Sequence, residues 1–391
     1  MRKISIAIIC IASFNISLFA QNSIDSVSRE IERNNTRLSA LQKRAGADTL
    51  GNKTGIYLQN PEIEFNYLWG NDVTGNRTDF SAIQTFDFPT AYAYKNQISD
   101  IKNEQVALEF QKQRKELLCN ASLVCYDLIY TNALMLELSK RSLDAESIAN
   151  AYKSKLDAGE ANILEYNKAR LNLLNLTKEL GSLSIEREAL LGELTLLNGG
   201  FPIGFTRSEF PATSIPADFE QWYAQAGQSN PLLNWLKKEV ELSQKQVSLN
   251  KALSLPRLHA GYMSESIIGE EFRGLSVGLS IPLWENKNKV KFAKANVLAA
   301  ENLASDQKVQ LYNRLMILHT KVTGLQNNVS DYKSKLQSFD NSELLEKALD
   351  KGEISLINYM LERAIYYESI KASLELEREM NKALAELKRY L

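Results

Sequence analysis

The chain has 391 residues, 24% of them charged, and a formal net charge of −1 with the two signs interspersed. That balance excludes the basic footprint of a nucleic-acid-binding protein. Past the N-terminus no run of about 18 apolar residues occurs, which excludes a bundle of transmembrane helices; with 8 prolines and 18 glycines, long uninterrupted helices are possible.

Arg2 and Lys3 open the chain, an apolar stretch from Ile4 to Phe19 follows, and Ala20 precedes Gln21. This predicts a secretory signal peptide over residues 1–20, the alternative being a short membrane anchor. Cys10 follows Ile8 and Ile9 rather than a small residue, which argues against a lipidated N-terminus. Cys119 and Cys125 lie six apart on one predicted helix, so they point to different faces and read as buried small apolar side chains. The two histidines, His259 and His319, are far apart, and no Cys/His spacing suggests a metal site or a cofactor.

The rest reads as two tandem repeats. Repeat 1, residues 21–198, is predicted as a helix, strands over 61–69 and 79–88, a long helix over 90–157, a glycine turn at 159 and a return helix over 162–197. A connector over 199–227, with Pro202, Pro211 and Pro216, reads as irregular. Repeat 2, residues 228–391, is predicted as a helix, strands over 256–266 and 274–283, a long helix over 285–350, a glycine turn at 352 and a return helix over 355–390. A shift of 195 aligns Asn35 with Asn230, Leu38 with Leu233 and Pro61 with Pro256. A shift of 193 then aligns Pro89 with Pro282, Gly159 with Gly352 and Tyr166 with Tyr359. One length change inside a turn reconciles both halves.

The strands carry period-two patterns. Ile63, Phe65, Tyr67 and Trp69 alternate with Glu62, Glu64 and Asn66. Phe80, Ala82, Phe86 and Phe88 oppose Asp79, Ser81, Thr85 and Asp87. Leu275, Val277, Leu279, Ile281 and Leu283 alternate with Ser276, Gly278 and Ser280, and His259 falls on the polar face of the third strand. A water-exposed hairpin with one face on a core has the same pattern. Two such hairpins at matched positions, in an exported chain otherwise helical, favour membrane strands, with Phe65, Tyr67, Phe86, Leu275, Val277, Leu279 and Ile281 facing lipid. Four strands leave open edges that lipid cannot satisfy, so the chain must pool strands with copies of itself; three copies give twelve.

Between Pro89 and Gly159 there is no proline or glycine, and between Trp284 and Gly352 only Gly324. Each stretch would span about 100 Å at roughly 1.5 Å per residue. Leu311, Leu315, Leu318, Val322, Leu325, Val329, Tyr332 and Leu336 form one seam at coiled-coil spacing. Leu173, Leu176, Leu180 and Leu183 begin another, which resumes at Leu190, Leu194 and Leu197 after Arg187. A coiled-coil scaffold is the alternative that these seams alone leave open.

Residues 33–175 and 228–370 resemble the TolC-like outer-membrane efflux proteins. The carriers are Asn35-x-x-Leu38 and Asn230-Pro231-Leu232-Leu233, the strand start Leu255-Pro256-Arg257-Leu258, the strand end from Gly274 to Leu283, and the turns at Gly159 and Gly352. The resemblance implies a mainly α fold with a membrane β-barrel portion: a homotrimer with a twelve-stranded barrel and a coiled-coil helical tunnel. It implies export in partnership with a periplasmic adaptor and an inner-membrane pump of RND or ABC type, the barrel seated in outer-membrane lipid. It also implies that Gly159, Glu160, Gly352 and Glu353 form tips that meet the adaptor, and that Asp157, Glu165, Asp350 and Asn358 border a periplasmic gate. Members often carry an acidic residue six positions after the tip glycine and an arginine two positions after it. Here those positions are Glu165 and Asn358, and Ala161 and Ile354, so a cation-binding ring at the mouth is not expected by pattern alone. The bland reading of these acids is a solvated helix end. No nucleophile elbow, phosphate loop or zinc motif occurs, and the reading is of a channel and not an enzyme. A protein-secretion channel of the same fold and a periplasmic adaptor or scaffold without a barrel are the alternatives.

Overall fold

The computed structural model describes residues 23–212 and 215–390; the predicted signal peptide, residues 1–20, lies outside them. Helices α1 (Ile24–Asn34) and α2 (Thr36–Gly51) precede strands β1 (Glu62–Leu68) and β2 (Arg77–Phe86). Helices α3 (Pro89–Asp157), α4 (Ile163–Leu197), α5 (Phe219–Ser229) and α6 (Pro231–Ala252) follow. Strands β3 (Arg257–Ile267) and β4 (Glu270–Ser280) lead to α7 (Lys289–Ser338), α8 (Ser342–Asp350) and α9 (Leu356–Lys388).

Four expectations are corrected. The first helix of repeat 1 is two helices, because Asn35 leaves the helical region (ψ 118°) and its side-chain oxygen accepts from the Leu38 N–H at 2.8 Å, restarting the chain as an N-cap. The connector is not wholly irregular: α5 lies inside it, begun by the Asp218 carboxylate accepting from the Glu220 N–H at 2.9 Å. Asn230, with Pro231 at the first helical position, separates α5 from α6. The second long helix starts at Lys289 rather than 285 and breaks between Ser338 and Ser342. There Asp340 accepts from the Ser342 N–H at 3.1 Å; the Ser342 bonds hold its carboxyl below the usual range. Asp, Asn and Ser in a row offer the backbone local partners that compete with the helix ladder. Finally, β4 ends at Ser280, so Ile281 and Leu283 lie beyond the ladder; Pro282 has no N–H to extend it.

The chain divides into two compact units. One comprises Ala40–Lys112 and Gln228–Leu311. It holds an antiparallel sheet in the order β1-β2-β3-β4. Ile98 and Ile101 of α3 pack on Leu242 and Leu249 of α6, and Lys238 pairs with Glu104 at 2.7 Å. Asp87, buried just after β2, accepts from Lys95 at 2.9 Å and faces the Arg257 guanidinium at 3.5 Å. This cluster fixes the passage from strand to helix.

The other unit comprises Met1–Ser39, Gln113–Gly227 and Tyr312–Leu391. Leu138 and Ala145 of α3, Leu176 of α4 and Tyr367 of α9 form one core cluster; Ala149, Ala169 and Leu356 form another. Both predicted seams are buried or half-buried at every position. Arg187 sits in the α4 seam and is satisfied there, its Nε donating to the Asn132 side chain at 2.8 Å. One 18-residue window of α3 reaches a mean hydropathy of 1.2, and 61% of it is buried, so that apolarity serves helix packing. His319 is buried, its Nε2 2.8 Å from the Pro216 carbonyl, between Phe219 and Trp222. Cys119 and Cys125 are free and buried.

Candidate membrane-facing sheet and tip turns

In an antiparallel ladder, residues directly opposite one another share a sheet face. Phe65 pairs with Phe80 and Ile63 with Ala82. Ala82 pairs with Tyr262 and Phe86 with Leu258. Tyr262 in turn pairs with Leu275, Ala260 with Val277, and Leu258 with Leu279. The register therefore merges the apolar positions of all four strands into one face, interrupted at Gln84 opposite Ala260. Toward the hairpin turns that face ends in Thr78, Ser264 and Arg273.

This face is uncovered in the protomer. Leu275 is 87% exposed, Val277 82%, Ile63 69% and Phe65 64%. Tyr67 and Leu279 are also exposed, and Phe86 is half-buried near the strand end. Ile281 is exposed but past the last strand residue. Contiguous apolar surface of this kind has no stable partner in water. Every residue of β1 is exposed, and β1 and β4 are the two unpaired edges.

The opposite face is mainly polar, although Ile83, Met263 and Phe272 also lie on it. Glu64, Asp79, Ser81, Glu265 and Ser276 lie on it, and Arg77 bridges Asp79 at 2.8 Å and Glu265 at 3.2 Å. His259 falls here, opposite Thr85 and Gly278. A side chain at 278 would meet the His259 ring at 2.1 Å, so glycine makes room for the imidazole.

The two glycine turns share one geometry. Gly159 has φ 78° and Gly352 φ 73°, the left-handed region that glycine enters without strain. The Glu160 N–H donates to the Lys155 carbonyl at 2.8 Å and the Glu353 N–H to the Ala348 carbonyl at 2.9 Å. Both are six-to-one bonds that close a helix C-terminus. Nothing lies within 4 Å of where either glycine's Cβ would sit. The return helices then begin with side-chain caps: Asn162 accepts from the Glu165 N–H at 3.0 Å, and Ser355 from the Asn358 N–H at 3.2 Å.

The candidate gate residues do not form one cluster of like function. Asp157, Glu160, Asp350 and Glu353 are exposed. Glu165 is half-buried, and its carboxylate accepts from the Asn162 N–H at 3.2 Å, so it completes a capping box. Asn358 occupies the matching third position of α9, where its backbone N–H is what the cap uses.

Sequence reasoning missed the links that bind α9 to the first hairpin. Arg363 pairs with Asp144 of α3 at 3.0 Å. The Arg141 guanidinium lies 4.2 Å from the Tyr367 ring centroid, and the Tyr367 hydroxyl donates to Glu179 of α4 at 3.1 Å. These partners are far apart in sequence, and no periodicity announces them.

No family model matches the sequence, and no curated protein does. Solved structures do match its fold. The Campylobacter jejuni CmeC outer membrane channel aligns with a TM-score of 0.75 at 14% identity, over 94% of this chain and 85% of that one. The Vibrio cholerae outer membrane protein VceC aligns at 0.70 and 12%, over 94% of each chain. The open state of the Neisseria gonorrhoeae MtrE outer membrane channel aligns at 0.69 and 11%, over 94% of this chain and 88% of that one. The chain therefore has the TolC-like channel fold, as its repeated motifs suggest.

Proposed function

We propose that this protein is the outer-membrane channel subunit of a tripartite export system. It works without catalysing a reaction, in a Gram-negative outer membrane, with a large periplasmic portion. The carrying observation is the sheet: an apolar face that nothing covers, a polar face behind it, and two open edges, in a chain with this fold. Lipid is the solvent that suits the apolar face. Open edges cannot stand in hydrocarbon, because each unpaired N–H and C=O there costs several kcal/mol. Three protomers joined β1 to β4 make a twelve-stranded barrel with the polar face toward water.

The helices extend the same pore through the periplasm. The exposed acids at Asp157, Glu160, Asp350 and Glu353 mark the turns where an adaptor docks and couples the channel to an inner-membrane pump of RND or ABC type. Opening moves the helix pairs that end at Gly159 and Gly352. Cargo passes passively. Purified protein added to a planar lipid bilayer tests this. Stepwise conductance that scales with added protein supports the pore. Protein that inserts yet leaves the bilayer insulating under every applied voltage contradicts it.

A further inference from the structure

The helical unit contains a cavity of about 420 Å³ that the channel reading does not use. It lies where the start of α1, the middle of α3, the segment after α4 and the end of α9 converge. Four cationic side chains line it, Lys115, Arg207, Lys388 and Arg389, against one carboxylate, Asp25. The lining thus holds three more cations than carboxylates, with Glu116 and Glu386 just beyond it, in a chain whose 46 Lys and Arg otherwise balance 47 Asp and Glu.

None of the four has a carboxylate within 4.0 Å among the described residues, although Glu116 acts electrostatically on Arg389 from farther away. Arg207 donates to the Glu209 carbonyl at 2.7 Å, and Arg389 to the Tyr390 hydroxyl at 2.6 Å; both acceptors are neutral. Lys115 is half-buried, and burial together with the adjacent Arg114 guanidinium pushes its pKa down. Arg114 itself is neutralised by Glu32 at 2.6 Å, so its carboxylate partner is not shared with Lys115. Nearby cations behave differently: Lys382 pairs with Asp127 at 2.8 Å and Lys333 with Glu377 at 2.7 Å. The first turn of α1 also opens on this cavity at Ser23 and Asp25, and first-turn N–H groups lack intrahelical acceptors.

Half-buried cations left unpaired cost stability unless an anion joins them. We infer that this cavity binds a phosphoryl group, carried by a soluble phosphate compound or by a phospholipid headgroup. A carboxylate offers one charge to the cluster. A phosphoryl group offers close to two charges and three acceptor oxygens, which several converging donors can share.

The test uses the full chain in neutral detergent at fixed ionic strength. One calorimetric titration adds inorganic pyrophosphate; a second adds phosphatidylglycerol to the micelles, with phosphatidylcholine as its reference. Binding of pyrophosphate assigns a soluble ligand, and binding of phosphatidylglycerol alone assigns a headgroup. In either case Lys115→Gln combined with Arg389→Gln weakens binding by about tenfold or more, the loss expected of charge-assisted hydrogen bonds, while the exposed control Lys321→Gln leaves it unchanged. Lys388→Gln, at an exposed position, weakens it by about threefold and keeps the test decisive if the double variant does not fold. Failure of both probes to bind wild type at millimolar concentration overturns the inference, as does equal binding by wild type and the cavity variants.

Discussion

Replacing Val277 by Arg separates lipid from water as the solvent of the sheet. Val277 is 82% exposed and lies between Arg273, where the apolar face ends, and Ser280, where the strand ends. If the face meets water, an arginine there extends into solvent and changes stability by roughly 0.5 kcal/mol or less, as for other exposed substitutions. If the face meets hydrocarbon, the same arginine costs about 2–4 kcal/mol near the bilayer midplane. Three copies incur it together, so an assembled barrel loses roughly 6–12 kcal/mol. Ser276→Arg is the matched control, since Ser276 lies on the polar face opposite Gly261. The assay is the amount of heat-modifiable oligomer recovered from outer-membrane fractions at equal expression. Val277→Arg should abolish it, Ser276→Arg should spare it, and Val277→Ala should lie near wild type. Equal recovery of the two arginine variants would refute the assignment of faces.

Four further outcomes follow from the same geometry. Gly352→Val forces a branched side chain into a left-handed turn at a cost of about 1–2 kcal/mol; with open space around the site, oligomers should persist while efflux, followed by dye retention in cells, falls. Asn162→Ala removes the cap of α4 and should lower stability by about 1 kcal/mol, seen as faster amide exchange confined to the first turn of that helix. Burial pushes the Cys125 thiol up to about 12 and raises that of Cys119, so maleimide at neutral pH should label neither until the protein is denatured. Glu32 is held below its ordinary 4.5 by the Arg114 hydrogen bond; its contribution is present above the unfolded value and is lost as pH falls through the lowered folded one. Wild type should therefore exceed Glu32→Gln by under about 1 kcal/mol at pH 7, a solvent-screened amount, with the two melting curves converging in acid.

Features with a period or a special residue were legible in the sequence. The seams on α4 and α7 follow from leucine spacing, and the turns at Gly159 and Gly352 from a shared Leu-Asp-x-Gly-Glu. The sheet's two faces follow from alternation, because a single register error would have inverted them. Boundaries were less legible. Asn230-Pro231 is a helix-start signal, and its aligned partner Asn35 splits the first helix in the same way; both read as parts of one helix when only apolar spacing is weighed. The break after Ser338 had a signal too, in the consecutive cap formers Asp340, Asn341 and Ser342. Glu165 three residues after Asn162 is a capping-box spacing, so its structural role was readable. Arg363 with Asp144, Tyr367 with Glu179 and the unpaired cations around Lys115 depend on which helices meet, and a one-dimensional pattern does not contain that.

Native mass spectrometry of the protein extracted from membranes, compared with the same protein expressed without detergent, bears most directly on the account. Three identical chains held together in detergent, and no dispersed species in its absence, is the predicted pair of results. A single chain that remains dispersed in plain buffer would mean that the sheet is already satisfied on its own, and the channel reading would fall.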